Sequence, residues 1–342
     1  MTMTKRLEQA LAGEAVWPPP VWLMRQAGRY LPEYREVRAR AGDFISLCTS
    51  PALAAEVTLQ PLRRYGMDAA ILFSDILMLP WALGQGLRFA EGEGPRLPPI
   101  RDAAGVDALD PSRLREAIAP ILETVRLVRA GVGEATLIGF AGSPFTVACY
   151  MVEGQGTKEF AHVRRMAYSQ PGLFAQLMDT VTDATIEYLS AQIDAGAEVV
   201  MLFDSWAGVL SPRLFHKHVI MPTKRIVDAL AQRHPGIQVI GFPRGAGTLL
   251  AAYAAETGVS AVAIDTGVDP AFAIAAVPGH TALQGNLDPM ALVAGGEALA
   301  RETSGILDAM QGRPFIFNLG HGIVPETPPD HVAMLMQQIR SH

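Results

Sequence analysis

Short apolar runs recur along the chain, each followed by a stretch with the amphipathic spacing of a helix. Eight such runs occupy positions 21–24, 69–73, 136–140, 199–203, 239–242, 261–264, 281–283 and 315–317. None alternates polar with apolar positions, so each is predicted to be a strand buried on both faces, as in a parallel sheet. Helix starts are marked between them. Thr49 or Ser50 caps a helix that has Pro51 at its first position and ends at Gly66, and Ser211-Pro212, Asp269-Pro270 and Asp288-Pro289 repeat that opening. Eight strand–helix units in 342 residues predict one α/β domain over 1–342, a (β/α)₈ barrel with longer connections at 83–134 and 146–198. Its first ~15 residues are expected to be loose, as termini often are. A doubly wound open sheet is the alternative, but it carries a glycine-rich phosphate turn, and no GxGxxG or GxxxxGK[ST] occurs.

Composition narrows the class. Hydrophobic residues make up 49% of the chain and charged residues 18%, enough apolar material for a large core. The balance of 28 basic against 34 acidic residues, a net charge of −6, argues against nucleic acid as a partner. Two cysteines, Cys48 and Cys149, give neither a disulfide framework nor a cysteine-rich zinc site, and fit a reducing compartment. The N-terminus has no apolar signal region, and no run reaches the ~18 residues of a membrane span. The expectation is a cytoplasmic protein with no membrane partner.

A barrel places its active site at the C-terminal ends of its strands. Each run is followed there by polar residues: Arg25, Gln26 and Arg29; Ser74 and Asp75; a glycine-rich segment leading to Tyr150; Asp204 and Ser205; Arg244; Asp265; Asn286 and Asp288; Asn318 and His321. Any one of them can simply cap the next helix, but together they converge on one rim. Arg25 and Arg29, four apart, suit bidentate binding of carboxylate or phosphate; the alternative is ion pairing with Glu33 or Glu36. Asp75 sits among large apolar residues, where a carboxylate is desolvated unless a cation or donor faces it; the alternative is a cap on the segment that follows. His321, between two glycines, is either a ligand contact or a structural histidine in a tight turn. Tyr150 either offers its hydroxyl to a ligand or belongs to the core. His216 and His218 face different directions on a helix, and no cluster has metal-ligand spacing. The four lysines, Lys5, Lys158, Lys217 and Lys224, all lie away from strand ends, which argues against Schiff-base or pyridoxal chemistry. A G-x-S-x-G nucleophile elbow is absent.

The motifs PVWLMRQAGRYLPEYR, FSDIL, IGFAGSPFTVACYMVEG, FDSWAG, LQGNLDP and NLGHGI, in this order, resemble the uroporphyrinogen decarboxylase family. The resemblance implies a cofactor-free (β/α)₈ barrel, usually a cytosolic homodimer, that removes the four acetate carboxyls of uroporphyrinogen III to give coproporphyrinogen III for haem synthesis. It implies substrate-binding roles for Arg25, Gln26, Arg29, Asp75, Tyr150, Ser205 and His321. Among these, Asp75, Arg29, Tyr150 and His321 are the candidates for the chemistry. Arg38 matches a further arginine of some members, Arg244 stands where some have lysine, and Trp206 where some have histidine. Met24, Leu77, Phe140 and Phe145 are expected to face the apolar body of the macrocycle. Two rivals of other kinds remain. One is a related barrel that passes methyl groups from a corrinoid protein to a thiol on zinc, which uses His and Cys ligands that this sequence does not place together. The other is a tetrapyrrole carrier with no chemistry.

Overall fold

A computed structural model describes residues 5–90 and 94–342 of the chain. Seven of the eight apolar runs form strands: β1 Ala69–Ile71, β2 Thr136–Gly142, β3 Val199–Asp204, β4 Gln238–Pro243, β5 Ala261–Ala263, β6 Ala282–Leu287 and β7 Phe315–Leu319. They pair in parallel and in chain order in one curled sheet. Strands β2, β6 and β7 are buried at every position, as covering by helices on one side and packing inside the curl on the other require.

The remaining run, 21–24, was expected to be the first strand and is not one. Val21 makes a single parallel bridge to Phe317 of β7. On one side the Phe317 N–H donates to the Pro20 carbonyl at 2.9 Å, and on the other the Asp68 N–H donates to the Val21 carbonyl at 2.9 Å. The segment therefore lies between the last strand and the approach to β1. The reason it pairs no further is local. Pro18, Pro19 and Pro20 carry no N–H for a ladder, and the chain turns at once through a Gln26 N–H to Leu23 carbonyl bond of 2.9 Å.

Helix starts fall where expected, with proline at the first position, but of the expected caps only the two aspartates act through their side chains. Ser50 and Ser211 make no cap bond, and the Thr49 and Ser50 hydroxyls donate back to the Ile45 and Ser46 carbonyls. Helix Pro51–Tyr65 ends at Gly66, whose φ of 62° is the left-handed conformation that a glycine adopts without penalty. Asp269 and Asp288 accept the Ala271 and Met290 N–H groups, both at 2.8 Å, and so cap helices Pro270–Ala276 and Pro289–Ala294. The long connection after 83 includes a small antiparallel hairpin, Arg88–Ala90 with Gly94–Arg96, and the one after 146 includes the 24-residue helix Pro171–Asp194. Near the N-terminus, where looseness was expected, Arg6–Leu11 is a helix with Leu7, Ala10 and Leu11 buried. Lys5 holds it down with a 2.7 Å ion pair to Glu198; residues 1–4 lie outside the described part. The buried apolar residues form one cluster that runs from Leu7 to Ile339. No helix among the described residues is long and apolar enough to cross a membrane.

Candidate active site

A cavity of about 1060 Å³ opens beyond the C-terminal ends of the strands. Residues from six of the eight polar groups at the strand ends line it: Arg25 and Arg29, Ser74 and Asp75, Tyr150, Ser205, Arg244 and His321. Arg38 and Phe140 line it too.

The arginine loop is held from both flanks. Gln26 is fully buried; its Oε1 accepts the Leu23 N–H at 3.0 Å and its Nε2 donates to the Ala69 carbonyl of β1 at 3.0 Å. Next to it, the Met24 N–H donates to Asn318 Oδ1 at 3.0 Å, and the Ile323 N–H donates to the Met24 carbonyl at 2.9 Å. Between these anchors Arg25 takes a φ of 62°. For a non-glycine residue that conformation costs about 1–2 kcal/mol, and the surrounding hydrogen bonds over-determine it. The result is a guanidinium directed into the cavity. Gln26, expected to bind substrate, does not line the cavity; both ends of its amide are spent on backbone. Asn318 ties backbone through its Oδ1 alone, which accepts the Met24 and Leu319 N–H groups.

The ion-pair alternative for the arginines is not what the structure shows. Glu33 pairs with Arg64 at 3.2 Å, and among the described residues Arg25, Arg29, Arg38 and Arg244 are in no ion pair with a carboxylate. Arg38 donates to the Gly42 carbonyl at 2.7 Å on the cavity rim. Arg25 is open to the cavity, yet protein surrounds the opening. Desolvation lowers its pKa, and Asp75 and Tyr150 pull it back up while Arg29 and Arg244 push further down.

Asp75 follows β1; it does not cap helix Met78–Ala82, whose N-cap is Leu77, but holds the turn before it. Its Oδ1 accepts the Leu77 N–H at 2.8 Å, starting the turn into helix Met78–Ala82, and the carboxylate lines the cavity. Burial raises its pKa above the ordinary carboxylate value; the Leu77 N–H and the Arg25 charge act in the opposite sense. The other acid in the lining, Asp43, caps helix Phe44–Cys48 through the Ser46 N–H at 2.9 Å.

His321 has a pKa lowered to about 4 by burial and by the Arg25 and Arg244 charges, with Asp265 opposing. It is a neutral imidazole at pH 7. Tyr150 has its pKa raised by burial, so it keeps its phenolic proton. Asp265 spends its carboxylate on two loops, accepting the Gly245 N–H at 2.7 Å and the Gly267 N–H at 2.9 Å. Asn286 donates to the Asp265 carbonyl at 2.9 Å, so both sit behind the cavity wall.

The apolar wall differs in part from expectation. Met24, Leu77 and Phe140 line the cavity, but Phe145 is fully buried in the core behind it. Phe203 and Phe242, which the sequence reading did not single out, complete the wall. Phe140 meets Phe203 edge-on at 5.5 Å, and Phe203 meets Phe242 edge-on at 6.3 Å, across three neighbouring strands. Their signal was positional: each is the last apolar residue of its run before Asp204 or Pro243. Phe89 and Pro95 of the hairpin close the outer side. Cys48 and Cys149 are buried and do not line the cavity. His216 pairs with Glu256 on the surface at 2.9 Å, and His218 packs edge-on against Phe174 in the core. Among the described residues no group of three His, Cys, Asp or Glu has the geometry to hold a metal.

The family model described as uroporphyrinogen decarboxylase (URO-D) matches residues 2–342. A protein of Granulibacter bethesdensis named uroporphyrinogen decarboxylase is 64% identical over 343 residues, covering 99% of this chain and 100% of its own. One of the same name from Acidiphilium cryptum is 62% identical, covering 98% of this chain and 94% of its own. Among solved structures, a methyltransferase from Methanosarcina mazei superposes with a TM-score of 0.82 at 23% identity, covering 98% of this chain and 97% of that one. At that identity the likeness is one of fold.

Proposed function

The chain belongs to the uroporphyrinogen decarboxylase family, and from that premise we propose that it converts uroporphyrinogen III to coproporphyrinogen III by removing its four acetate carboxyls as CO₂. It is a carboxy-lyase of haem synthesis. The observation that carries the assignment of the site is the charge pattern of the cavity: four arginines in no ion pair with a carboxylate among the described residues, around a desolvated Asp75. A flexible macrocycle with eight carboxylates supplies the missing anions, and its apolar body lies against Phe140, Phe203 and Phe242. Asp75 accepts the pyrrole N–H groups and centres the ring, so that each arm reaches the same chemistry in turn.

Loss of CO₂ leaves an electron pair that needs a sink. A pyrrole protonated on carbon is its own sink, and Asp75 stabilises that cation in a low-dielectric pocket. The reaction so written uses no cofactor, and none of the four lysines lines the cavity. Arg25 and Arg29 anchor carboxylate arms, with Arg38 and Arg244 at further points of the rim; Ser205 and His321 offer neutral polar contacts, and Tyr150 a proton. We propose further that Val21 fills the eighth position of a closed barrel, that the chain is a single domain, and that it works as a cytoplasmic homodimer. The bridge from Val21 to Phe317 and the Asp68 N–H bond to the Val21 carbonyl support the closure.

The test is anaerobic incubation with uroporphyrinogen III under reducing conditions, because porphyrinogens oxidise readily. CO₂ release with coproporphyrinogen III as product is expected. Tight binding without CO₂ would favour the carrier reading instead. Methyl transfer to a thiol, with zinc in the purified protein, would favour the methyltransferase reading.

A further inference from the structure

Thr146 spends one hydroxyl on two partners. Its Oγ1 donates to Asp204 Oδ1 at 2.5 Å and accepts the Trp206 backbone N–H at 3.0 Å. The single proton is committed to the carboxylate, so the lone pairs of the oxygen are left to receive the peptide. Asp204 is 1% exposed at the end of β3, and Thr146 is fully buried in the first turn of helix Pro144–Glu153. Four residues on, the same helix face presents Tyr150. The Tyr150 ring lies 6.4 Å from the Trp206 ring, and Trp206 also packs on Phe160 at 4.5 Å. Trp206, Ser205 and Tyr150 line the cavity, whereas Thr146 and Asp204 stand behind it.

A buried carboxylate is an expensive way to hold a helix to a strand. Asp204 Oδ2 has no hydrogen-bond partner, nor has the buried Tyr253 hydroxyl. The titratable groups that face Asp204 are Cys149, from the helix of Thr146, and Tyr253, from helix Leu250–Glu256. Apolar packing would tie the two elements with less desolvation. What apolar packing cannot do is fix the orientation of one peptide group, and that is what the Thr146 hydroxyl does to the peptide between Ser205 and Trp206.

We propose that Asp204 and Thr146 are positioning residues that hold the Ser205–Trp206 peptide, and through the Trp206 ring Tyr150, in the orientation decarboxylation needs. The inference rests on the function proposed above. Thr146→Val keeps the shape of the side chain and removes both hydrogen bonds; Thr146→Ser restores them. The expected result is a kcat at least tenfold lower for Thr146→Val with KM within about threefold, and recovery in Thr146→Ser. Because the effect runs through Tyr150, Thr146→Val added to Tyr150→Phe should cost less than a further twofold. A Thr146→Val enzyme with normal kcat, a Thr146→Ser enzyme as impaired as Thr146→Val, or losses that multiply in the double variant would overturn the proposal. A readout independent of turnover separates this from failure of the functional reading. With 5-fluorotryptophan incorporated, the ¹⁹F resonance of Trp206 (assigned by Trp206→Phe) should move in Thr146→Val and return in Thr146→Ser. An unmoved resonance overturns the relay whether or not the wild-type chain releases CO₂.

Discussion

Asp75→Asn is the substitution that bears most directly on the chemistry. The side chain keeps its shape, and its Oδ1 can still accept the Leu77 N–H that Asp75 accepts at 2.8 Å. What disappears is one negative charge in the cavity, and what arrives is an amide N–H facing the pyrrole N–H groups. For a cation held about 4 Å from the carboxylate, an effective dielectric near 20 gives roughly 4 kcal/mol. At about 1.4 kcal/mol per decade, that is a loss of about 10³ in kcat. Stability should not fall with it. Burial raises the Asp75 pKa above its unfolded value, so in the pH window between the two the folded chain binds more protons, and above that window the ionised carboxylate costs stability. The amide has no such cost, and the melting temperature of Asp75→Asn at pH 7 should equal or exceed that of the wild type. The wild-type kcat/KM should also fall as pH drops through the raised pKa, on an acid limb lying above the ordinary carboxylate range. Anaerobic CO₂ release, followed across pH beside thermal melts, reads all three. Turnover of Asp75→Asn within tenfold of wild type, in a protein that melts normally, would remove the charge from the mechanism.

Arg29→Ala should raise KM for the carboxylated substrate about tenfold or more, the worth of a charge-assisted hydrogen bond of about 1.5–3 kcal/mol; steady-state constants that do not move would make Arg29 a solvated surface charge. Gly322→Ala tests Arg25 from behind, since an added Cβ would overlap Arg25 Cδ and Cγ. KM should rise several-fold with little change in melting, and an unchanged KM would deny Arg25 its anchoring role. Asp204, buried beside Thr146, has its pKa raised from 3.8 to about 7. Its folded pKa exceeds its unfolded one, so relative to Asp204→Asn the wild type should lose roughly 4 kcal/mol of stability as pH rises from about 4 to 7, at about 1.4 kcal/mol per pK unit. Urea melts of the two proteins across that range would show it, and a difference independent of pH would contradict it.

The pattern of apolar runs revealed most of the sheet because parallel strands buried on both faces leave an unbroken apolar imprint. It misled at 21–24 because that segment carries the same imprint while Pro18, Pro19 and Pro20 withhold the N–H groups a ladder needs. Asp75, Ser205, Arg244 and His321 were visible as polar residues just past strand ends, Arg25 and Arg29 just past the apolar run 21–24, and Tyr150 along the helix that follows the glycine-rich strand end. The family resemblance placed Gln26, between the two arginines, on the substrate. Nothing in a sequence tells an amide that meets a ligand from one that staples backbone to backbone, and here both ends are taken by Leu23 and Ala69. Phe145 failed for a related reason. It sits in the first turn of a helix whose inner face is core, while Phe203 and Phe242 end their strands at the cavity. The hairpin wall of Phe89 and Pro95 was hidden by its length, three residues a strand, too short for a period to show.

Proton supply follows from the same electrostatics. The acid that replaces CO₂ on each arm must hold a transferable proton at neutral pH, close to arginines that bind the arms. His321 does not meet that condition. Arg25 and Arg244 beside it, together with burial, hold its pKa near 4, so at pH 7 it has no imidazolium proton to give. Guanidinium groups are poor acids by their pKa. Tyr150 keeps its proton for the reason His321 loses one: burial disfavours the charged form of each, tyrosinate and imidazolium alike. With the electron pair taken by the ring, loss of CO₂ leaves an exocyclic methylene. A proton on that carbon restores the ring cation, which then gives up the proton first added to it. Each arm so consumes one proton overall, and the donor is restored by the proton the ring releases. In the proposed reaction Asp75 and Tyr150 then divide the work: the carboxylate faces the positive ring, and the phenol is the group in the cavity still holding a proton once His321 is neutral.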